Sequence, residues 1–170
     1  MGRGEQLRAR YVRFVRGNDF LSRCVSYWTG SFFTHVDLVI RFNPREFLGA
    51  LPGQGVVLHD GGGQVETEAF VKLPRPVPFY VWARELGKPY DWMAILRSLV
   101  FPYPNRFALD TRAWYCTELV AYLAAATGVQ HFRGIITPDA LLNWLTRQRG
   151  ELEMVTGKSK LVPLAKYQRF

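Results

Sequence analysis

One cysteine stands where a thiol can act as a nucleophile. Cys116 opens residues 116–128, whose apolar side chains recur at helical spacing and whose last residue, a glycine, is a natural helix end. The spacing therefore predicts a helix that begins close to Cys116. Unpaired N–H groups and the positive end of the helix dipole favour a thiolate there. Because free cysteines are often buried simply as small hydrophobic residues, a partner is needed before this position indicates catalysis.

A nucleophilic cysteine needs a base, and the chain has three histidines, His35, His59 and His131. His131 follows the far end of the predicted helix, about 17 Å or more from the thiol, and is a poor partner. His35 opens an apolar, β-branched run that predicts a buried strand. Asp37 lies two residues on and points to the same face, so it can orient the imidazole. Cys116, His35 and Asp37 are thus the predicted nucleophile, base and orienter.

Three ordered motifs resemble those of the circularly permuted NlpC/P60 cysteine hydrolases. They are SFFTHVDLVI (31–40), GKPYDW (87–92) and WYCTELV (114–120). In that group the strand with the catalytic histidine precedes the helix with the catalytic cysteine, and this chain has the same order. The resemblance covers about residues 15–145. It implies a papain-like α+β fold, in which a small antiparallel sheet packs against helices and Cys116 stands at a helix N-terminus with His35 as its base.

The third polar residue stays open. In this family it often comes from the strand after the histidine strand, where the chain has Gly49. Asp37 is the preferred substitute, with His59 and Asp60 as weaker candidates; a backbone carbonyl or a water would also fix the tautomer. Glu118 lies in the first turn of the predicted helix, where its charge favours the dipole, so a structural role is the simpler interpretation.

Aromatic residues near the motifs are candidates for binding substrate. Phe33, Trp114 and Tyr115 are predicted to line a cleft beside the thiol, although neighbouring aromatics are more often simple packing. The resemblance implies a bacterial or phage cysteine peptidase or amidase that cleaves an amide in cell-wall peptide or an acyl-amide through a thioacyl intermediate. One alternative is a thiol acyltransferase or lipid hydrolase at a membrane surface. A second is a non-catalytic binding module with the same fold.

Composition limits the other classes. The 170 residues, 48% hydrophobic and 21% charged, predict one globular domain. No apolar run is long enough for a transmembrane helix and the N-terminus lacks a signal core, so a cytoplasmic location is expected unless another route exports the protein. The two cysteines, Cys24 and Cys116, permit one disulfide at most. With three histidines and no paired-cysteine motif, a zinc site is not expected, and no cofactor is expected either.

Positive charge is in excess, with 22 Lys and Arg against 14 Asp and Glu and a net charge of +8. Much of it falls near the two ends, at Arg3, Arg8, Arg10, Arg13, Arg16, Lys158, Lys160, Lys166 and Arg169. The preferred interpretation is two solvated basic extensions that flank the core. Attraction to an anionic polymer or a membrane surface is the alternative. A nucleic-acid partner would instead require binding with a steep salt dependence, and no specific one is predicted.

The remaining pattern predicts the other elements. Strands are expected at 11–16, 34–40, 46–50, 56–58, 65–72 and 77–82, and helices at 19–28, at 90–101 and from 138 onwards. Thr137 is the predicted N-cap of the last helix, with Pro138 at its first position. In the first helix, a face made by Phe20, Leu21, Cys24 and Tyr27 is expected to pack on the core.

Overall fold

The computed structural model describes residues 9–62, 65–100, 111–130, 137–147 and 152–153. Its six strands are β1 (Ala9–Gly17), β2 (His35–Phe42), β3 (Arg45–Leu51), β4 (Gly55–His59), β5 (Val65–Val77) and β6 (Leu152–Glu153). They form one antiparallel sheet in the order β4-β3-β2-β1-β5-β6. The helices are α1 (Phe20–Thr29), α2 (Phe79–Ala83), α3 (Trp92–Val100), α4 (Cys116–Ala125) and α5 (Pro138–Arg147). The predicted α+β class is confirmed.

One face of the sheet forms the main apolar core. Strand side chains alternate between faces, so Val12 and Phe14 of β1 share this face with Val36 and Leu38 of β2, and all four are buried. Helices α4 and α5 complete the core with Leu119, Val120, Leu123, Leu141 and Leu145. Each such side chain contributes about 1.5–3 kcal/mol when fully buried. This packing fixes α4 against β2 and β3.

The opposite face carries charge at its centre. Arg13 of β1 lies directly across from Asp37 of β2, and both side chains are buried. Glu68 of β5 is buried beside them. A small apolar cluster of Tyr11, Val39, Phe47 and Phe70 surrounds this charged group on the same face. The sheet therefore has a hydrocarbon face and a face with a buried ionic network.

Strand β1 corrects the interpretation of the N-terminal arginines as one solvated extension. It lies between β2 and β5, so Arg13 is inside the fold, and the strand begins at Ala9 instead of the predicted residue 11. Alternation along the strand explains the burial, because Arg13 falls on the same face as Tyr11 and Val15. The other predicted basic positions in residues 1–8 and 154–170 lie outside the described residues.

Helix α1 has the opposite orientation to the predicted one. Phe20 and Tyr27, expected to pack on the core, are 83% and 85% exposed, and Cys24 is only half-buried. Two serines are turned towards the protein instead: Ser26 Oγ donates to the carbonyl of Ser31 at 2.8 Å, and Ser22 Oγ donates to Asp19. The periodicity was visible in the sequence, but it does not say which face is buried.

The prediction of a strand at 77–82 is wrong, because most of these residues belong to a short helix. Strand β5 continues to Val77, and α2 begins at Phe79 after Pro78. Pro74 and Pro76 of β5 lie between Lys72 and Val77, where the pairing of β5 with β1 has a register shift, and such irregularities accommodate proline in a strand.

Helices α4 and α5 match their predicted starts. Cys116 is the first residue of α4, and Thr137 Oγ1 accepts the N–H of Ala140 at 3.2 Å at the start of α5. His131 falls in a part of the chain that the structure does not describe. None of the helices in the described ranges combines the length and the apolar character needed to cross a bilayer.

Candidate active site

Cys116 stands at the N-terminus of α4, as the spacing predicted. Tyr115 before it is extended, with φ −104° and ψ 166°, and its side chain does not cap the helix. The thiol residue is 9% exposed and lines a cavity. First-turn N–H groups of α4 therefore have no cap from Tyr115 and can stabilise negative charge at or near the sulfur.

The segment that leads into Cys116 is held by the second sequence motif. Trp114 donates its N–H to the carbonyl of Pro89 at 3.1 Å, and its own carbonyl accepts the N–H of Asp91 at 3.0 Å. The Trp114 indole Nε1 donates to buried Glu85 at 2.7 Å, and Lys88 Nζ binds the same carboxylate at 2.5 Å. Residues 87–92 thus fix the approach to the nucleophile.

His35 joins the nucleophile to a carboxylate. Its Nε2 lies 2.6 Å from Oδ1 of Asp37, and His35 lines the same cavity as Cys116. Since the carboxylate can only accept, Nε2 carries a proton in the neutral ring, and Nδ1 is the nitrogen left for Cys116. A bare Nδ1 facing a thiol is the tautomer that a general base requires.

The charge state of this pair follows from its surroundings. Burial disfavours the imidazolium and lowers the pKa of His35, but the charge of Asp37 and of Cys116, with hydrogen bonds to both, outweighs burial, so the pKa is well above its ordinary value of 6.5. Burial likewise raises the pKa of Asp37, yet His35 and the hydrogen bond from His59 hold that pKa far below its ordinary value. Asp37 is therefore a carboxylate and His35 is readily protonated.

The ionic network continues behind Asp37. Arg13 Nη1 donates to Oδ2 of Asp37 at 3.3 Å, and Arg13 Nε donates to Oε1 of Glu68 at 2.8 Å. The guanidinium also lies over the Phe47 ring, 4.2 Å from its centroid. Arg45 approaches the other oxygen of Glu68 at 3.4 Å. Each buried carboxylate thus has a cationic partner, which is the condition for burying charge at tolerable cost.

His59 is a second imidazole on Asp37. Its Nε2 lies 3.2 Å from the same Oδ1, while its Nδ1 accepts the backbone N–H of Gly61 at 3.1 Å. Because Nδ1 accepts, the neutral ring carries its proton on Nε2 and donates it to Asp37. The ring of His59 is thereby locked in place as a support for the carboxylate.

Gly49 explains how two imidazoles fit around one carboxylate. A Cβ at this position would lie in steric overlap with Oδ1 of Asp37, 2.9 Å from Nε2 of His59 and 3.4 Å from Nε2 of His35. Gly49, at the position where the permuted family often has a polar residue, thus leaves the space that His59 occupies. The weaker candidate Asp60 is elsewhere, since it is exposed and accepts the N–H of Gly62 in a local turn.

A cavity of about 290 Å³ opens beside the thiol. His35, Asp37, His59 and Cys116 stand in its wall with Tyr90, and most of the remaining wall is apolar, supplied by Val15, Val25, Leu51, Pro52, Val65, Trp92 and Ile95. Burial raises the pKa of the Tyr90 phenol, and the charge of Cys116 adds to the shift, so this hydroxyl stays a proton donor beside the sulfur.

The predicted substrate-binding aromatics need correction. Phe33 is buried in the main core against Phe14 and Phe32, and Trp114 is completely buried against Tyr122. Neither lines the cavity, and nor does Tyr115. Phe33 and Trp114 are therefore core residues, although they stand next to the catalytic residues in the sequence.

The sequence does not predict Arg13 and Glu68 as parts of the site. The available signal for Arg13 was a charged residue inside an otherwise apolar strand, because a charged side chain that is buried needs a partner. Its partners on β2 and β5 could not be identified without the strand order.

Comparison with known proteins gives the fold alone. No family model matches the chain, and no curated protein matches it. Among solved structures, the chain is similar to the metalloprotein yiiX from Escherichia coli O157:H7 (DUF1105), with a TM-score of 0.50 and 16% identity over 96% of this chain and 93% of that chain.

Proposed function

We propose that this protein is a cysteine hydrolase with a permuted papain-like fold, in which Cys116 attacks an acyl carbon and His35 moves the protons. The observation that carries the proposal is that Cys116 and His35 stand in the wall of one cavity while Nε2 of His35 lies 2.6 Å from the buried carboxylate of Asp37. The three ordered motifs of the sequence support the same family. The position of Cys116 at the start of α4 supports it as well.

The reaction divides into two acyl transfers. Nδ1 of His35 takes the thiol proton, and the sulfur forms a bond to the carbonyl carbon while the carbonyl π electrons move to oxygen. First-turn N–H groups of α4 stabilise that oxyanion. On collapse, the bond to the amine or alcohol breaks and His35 returns its proton to the leaving group. Water, deprotonated by His35, then attacks the thioester and releases the acid and the free thiol.

The cavity wall favours an acyl-amide or ester whose acyl part is apolar. Val15, Val25 and Leu51 stand beside the catalytic residues, and each offers hydrocarbon surface to a substrate. Hydrolysis of a lipid acyl bond, or transfer of that acyl group to an acceptor other than water, is therefore the second candidate. Cleavage of cell-wall peptide rests on the family resemblance alone.

A metal-dependent reaction fits these residues poorly. The similar structure is that of a metalloprotein, and His35, Asp37 and His59 do bring three ligand atoms within 4.8 Å of one another. A metal on Nε2 of His59 would require the proton on Nδ1, which already accepts the N–H of Gly61. Arg13 on the other oxygen of Asp37 adds positive charge next to the same position. The hydrogen bonds favour two imidazoles that support a carboxylate.

Thioester trapping tests the proposal. The wild type and Cys116→Ala, each with Cys24→Ala, are mixed with the p-nitrophenyl esters of acetate and octanoate, quenched in acid and analysed by intact mass. The expected result is acyl-enzyme on Cys116, with nitrophenol release faster for the octanoyl ester. A non-catalytic binding module would show no acyl-enzyme with either ester in a folded protein, and that result would refute the hydrolase.

A further inference from the structure

Helix α1 has an unusual distribution of side chains. Phe20, Tyr27 and Trp28 are 83%, 85% and 64% exposed and share one side of the helix. The side towards the protein carries Ser22 and Ser26. A surface helix normally buries its apolar side, so an amphipathic helix that exposes it is built to meet another surface.

Helix α3 exposes apolar side chains as well. Trp92, Met93 and Leu96 are each about half exposed and lie on adjoining positions of the helical surface. Both helices contribute to the wall of the Cys116 cavity, α1 through Val25 and α3 through Trp92 and Ile95. We call the six exposed large apolar residues described in the two helices, Phe20, Tyr27, Trp28, Trp92, Met93 and Leu96, the apolar rim.

The two helices that carry the rim contain arginine and no acid. Arg23 belongs to α1 and Arg97 to α3. Glu66 of β5, which lines a shallow pocket together with Tyr27, is paired with Arg16 at 3.0 Å. The acids just before the two helices are used as caps, since Asp19 accepts the N–H of Ser22 and Asp91 accepts the N–H of Ala94, both at 2.8 Å. The whole chain has a net charge of +8. Helices that carry exposed Trp, Tyr and Phe with arginine and no acid have the composition of helices that lie in the interface of an anionic bilayer.

We propose that the apolar rim docks on an anionic lipid bilayer, so that the cavity beside Cys116 opens towards the lipid. Phe20, Tyr27 and Trp28 enter the headgroup region from α1, and Trp92, Met93 and Leu96 enter it from α3. Docking needs no reactive thiol, so the hydrolase and the bilayer surface can fail independently.

Vesicle flotation tests the surface. The full-length protein is mixed with vesicles of phosphatidylcholine alone or of equal parts phosphatidylcholine and phosphatidylglycerol. The wild type and Cys116→Ala should float with the mixed vesicles. The variant Phe20→Ser/Trp28→Ser should lose about tenfold or more in partitioning, because each aromatic side chain contributes that order of affinity.

A matched control comes from α2. Phe79 and Tyr80 are as exposed as the rim residues but do not line the cavity. The variant Phe79→Ser/Tyr80→Ser should float like the wild type. Wild type that does not bind either vesicle, or equal losses in the two double variants, overturns the proposal. Binding that survives Phe20→Ser/Trp28→Ser and vanishes only in high salt also overturns it, because the basic residues alone would then be responsible.

Depth of insertion gives a second readout that does not depend on a destabilising change. Vesicles with brominated acyl chains should quench part of the tryptophan fluorescence, and Trp28→Phe should bind normally while losing part of that quenching. Unchanged quenching in Trp28→Phe contradicts insertion of α1. A wild-type dimer that becomes monomeric in Phe20→Ser/Trp28→Ser without any vesicle binding would assign the rim to a second copy of the chain instead.

Discussion

His35 at the start of β2 and His59 at the end of β4 bind the same oxygen of Asp37, and their other ring nitrogens have different neighbours. Nδ1 of His35 is left for the Cys116 thiol, whereas Nδ1 of His59 accepts a backbone N–H from Gly61. One imidazole can therefore gain and lose a proton in place, and the other is held as a donor to the carboxylate. The group on the second nitrogen decides which histidine is a base and which is a support.

The largest expected difference between the two histidines is in thiol reactivity. In a Cys24→Ala background, His35→Ala should slow alkylation of Cys116 by iodoacetamide at neutral pH by about 10²–10⁴-fold, the usual contribution of a positioned base. His59→Ala should slow it by about tenfold or less, since it acts through Asp37. The second-order rate constant checks this. Equal losses in the two variants would show that His59 is part of the proton path.

Asp37 contacts both histidines and Arg13, so its substitution should lower the free energy of unfolding. Asp37→Asn removes the charge that faces buried Arg13 and both imidazoles, and breaking a buried ion pair from one side costs about 3–5 kcal/mol. Urea unfolding measures the change in the free energy of unfolding. A cost below about 1 kcal/mol, typical of surface pairs, would contradict the network.

Gly49 tests the space that the two histidines share. Gly49→Ala places a methyl group against Asp37 and His59, and overpacking of this kind costs about 1–3 kcal/mol. Its cost should be smaller in a His59→Ala background, because one of the two overlaps is then removed. Denaturant unfolding of the four proteins in this cycle gives the coupling. Additive costs would mean that Gly49 and His59 do not meet.

The raised pKa of His35 gives stability a defined pH dependence. Because the folded-state pKa lies above the ordinary 6.5, the contribution of His35 is complete below pH 6.5 and is lost as the pH rises through the folded-state value. The difference in unfolding free energy between the wild type and His35→Gln should therefore shrink as the pH is raised, by at most about 1.4 kcal/mol per pH unit. A difference that grows with pH contradicts the sign of the shift.

The smallest effect is expected from chelation. The tautomer of His59 leaves Nε2 protonated, so EDTA should change neither the alkylation rate of Cys116 nor the midpoint of thermal unfolding. Isothermal titration with Zn²⁺ provides the control. Binding of Zn²⁺ that is abolished by His59→Ala would show that the histidines hold a metal together.

Local patterns in the sequence were enough to predict the catalytic histidine His35 and its two partners, but not the supporting histidine His59. Cys116 at a helix start, and His35 with Asp37 at alternate positions of a strand, follow from periodicity within single elements. His59 was only a weak candidate because its contact with Asp37 depends on β3 lying between β2 and β4. The burial of Arg13 likewise depends on β1 lying between β2 and β5, so its position in a basic stretch of sequence indicated a solvated end. Contacts across strands depend on register, which a single element does not encode.

The sequence also could not predict which side of a helix faces the protein. The spacing in α1 identifies its apolar side, but whether that side is buried or exposed depends on how the rest of the fold packs. Trp114 and Phe33 show the reverse error, since aromatics beside catalytic residues in sequence are buried behind them. Hydrophobic spacing identifies a face without saying whether protein or another surface will cover it.

Because Gly49 has no side chain, the residues at positions 49 and 59 depend on each other. They lie on the same face of neighbouring strands, two positions apart in the register because His59 pairs with Phe47 and Gly49 pairs with Val57, and both adjoin Asp37. A side chain large enough to orient His35 from position 49 would exclude His59, whereas a histidine at 59 requires glycine at 49. Among sequences with this fold the two positions should therefore covary, and a chain could exchange one solution for the other only by changing both residues together.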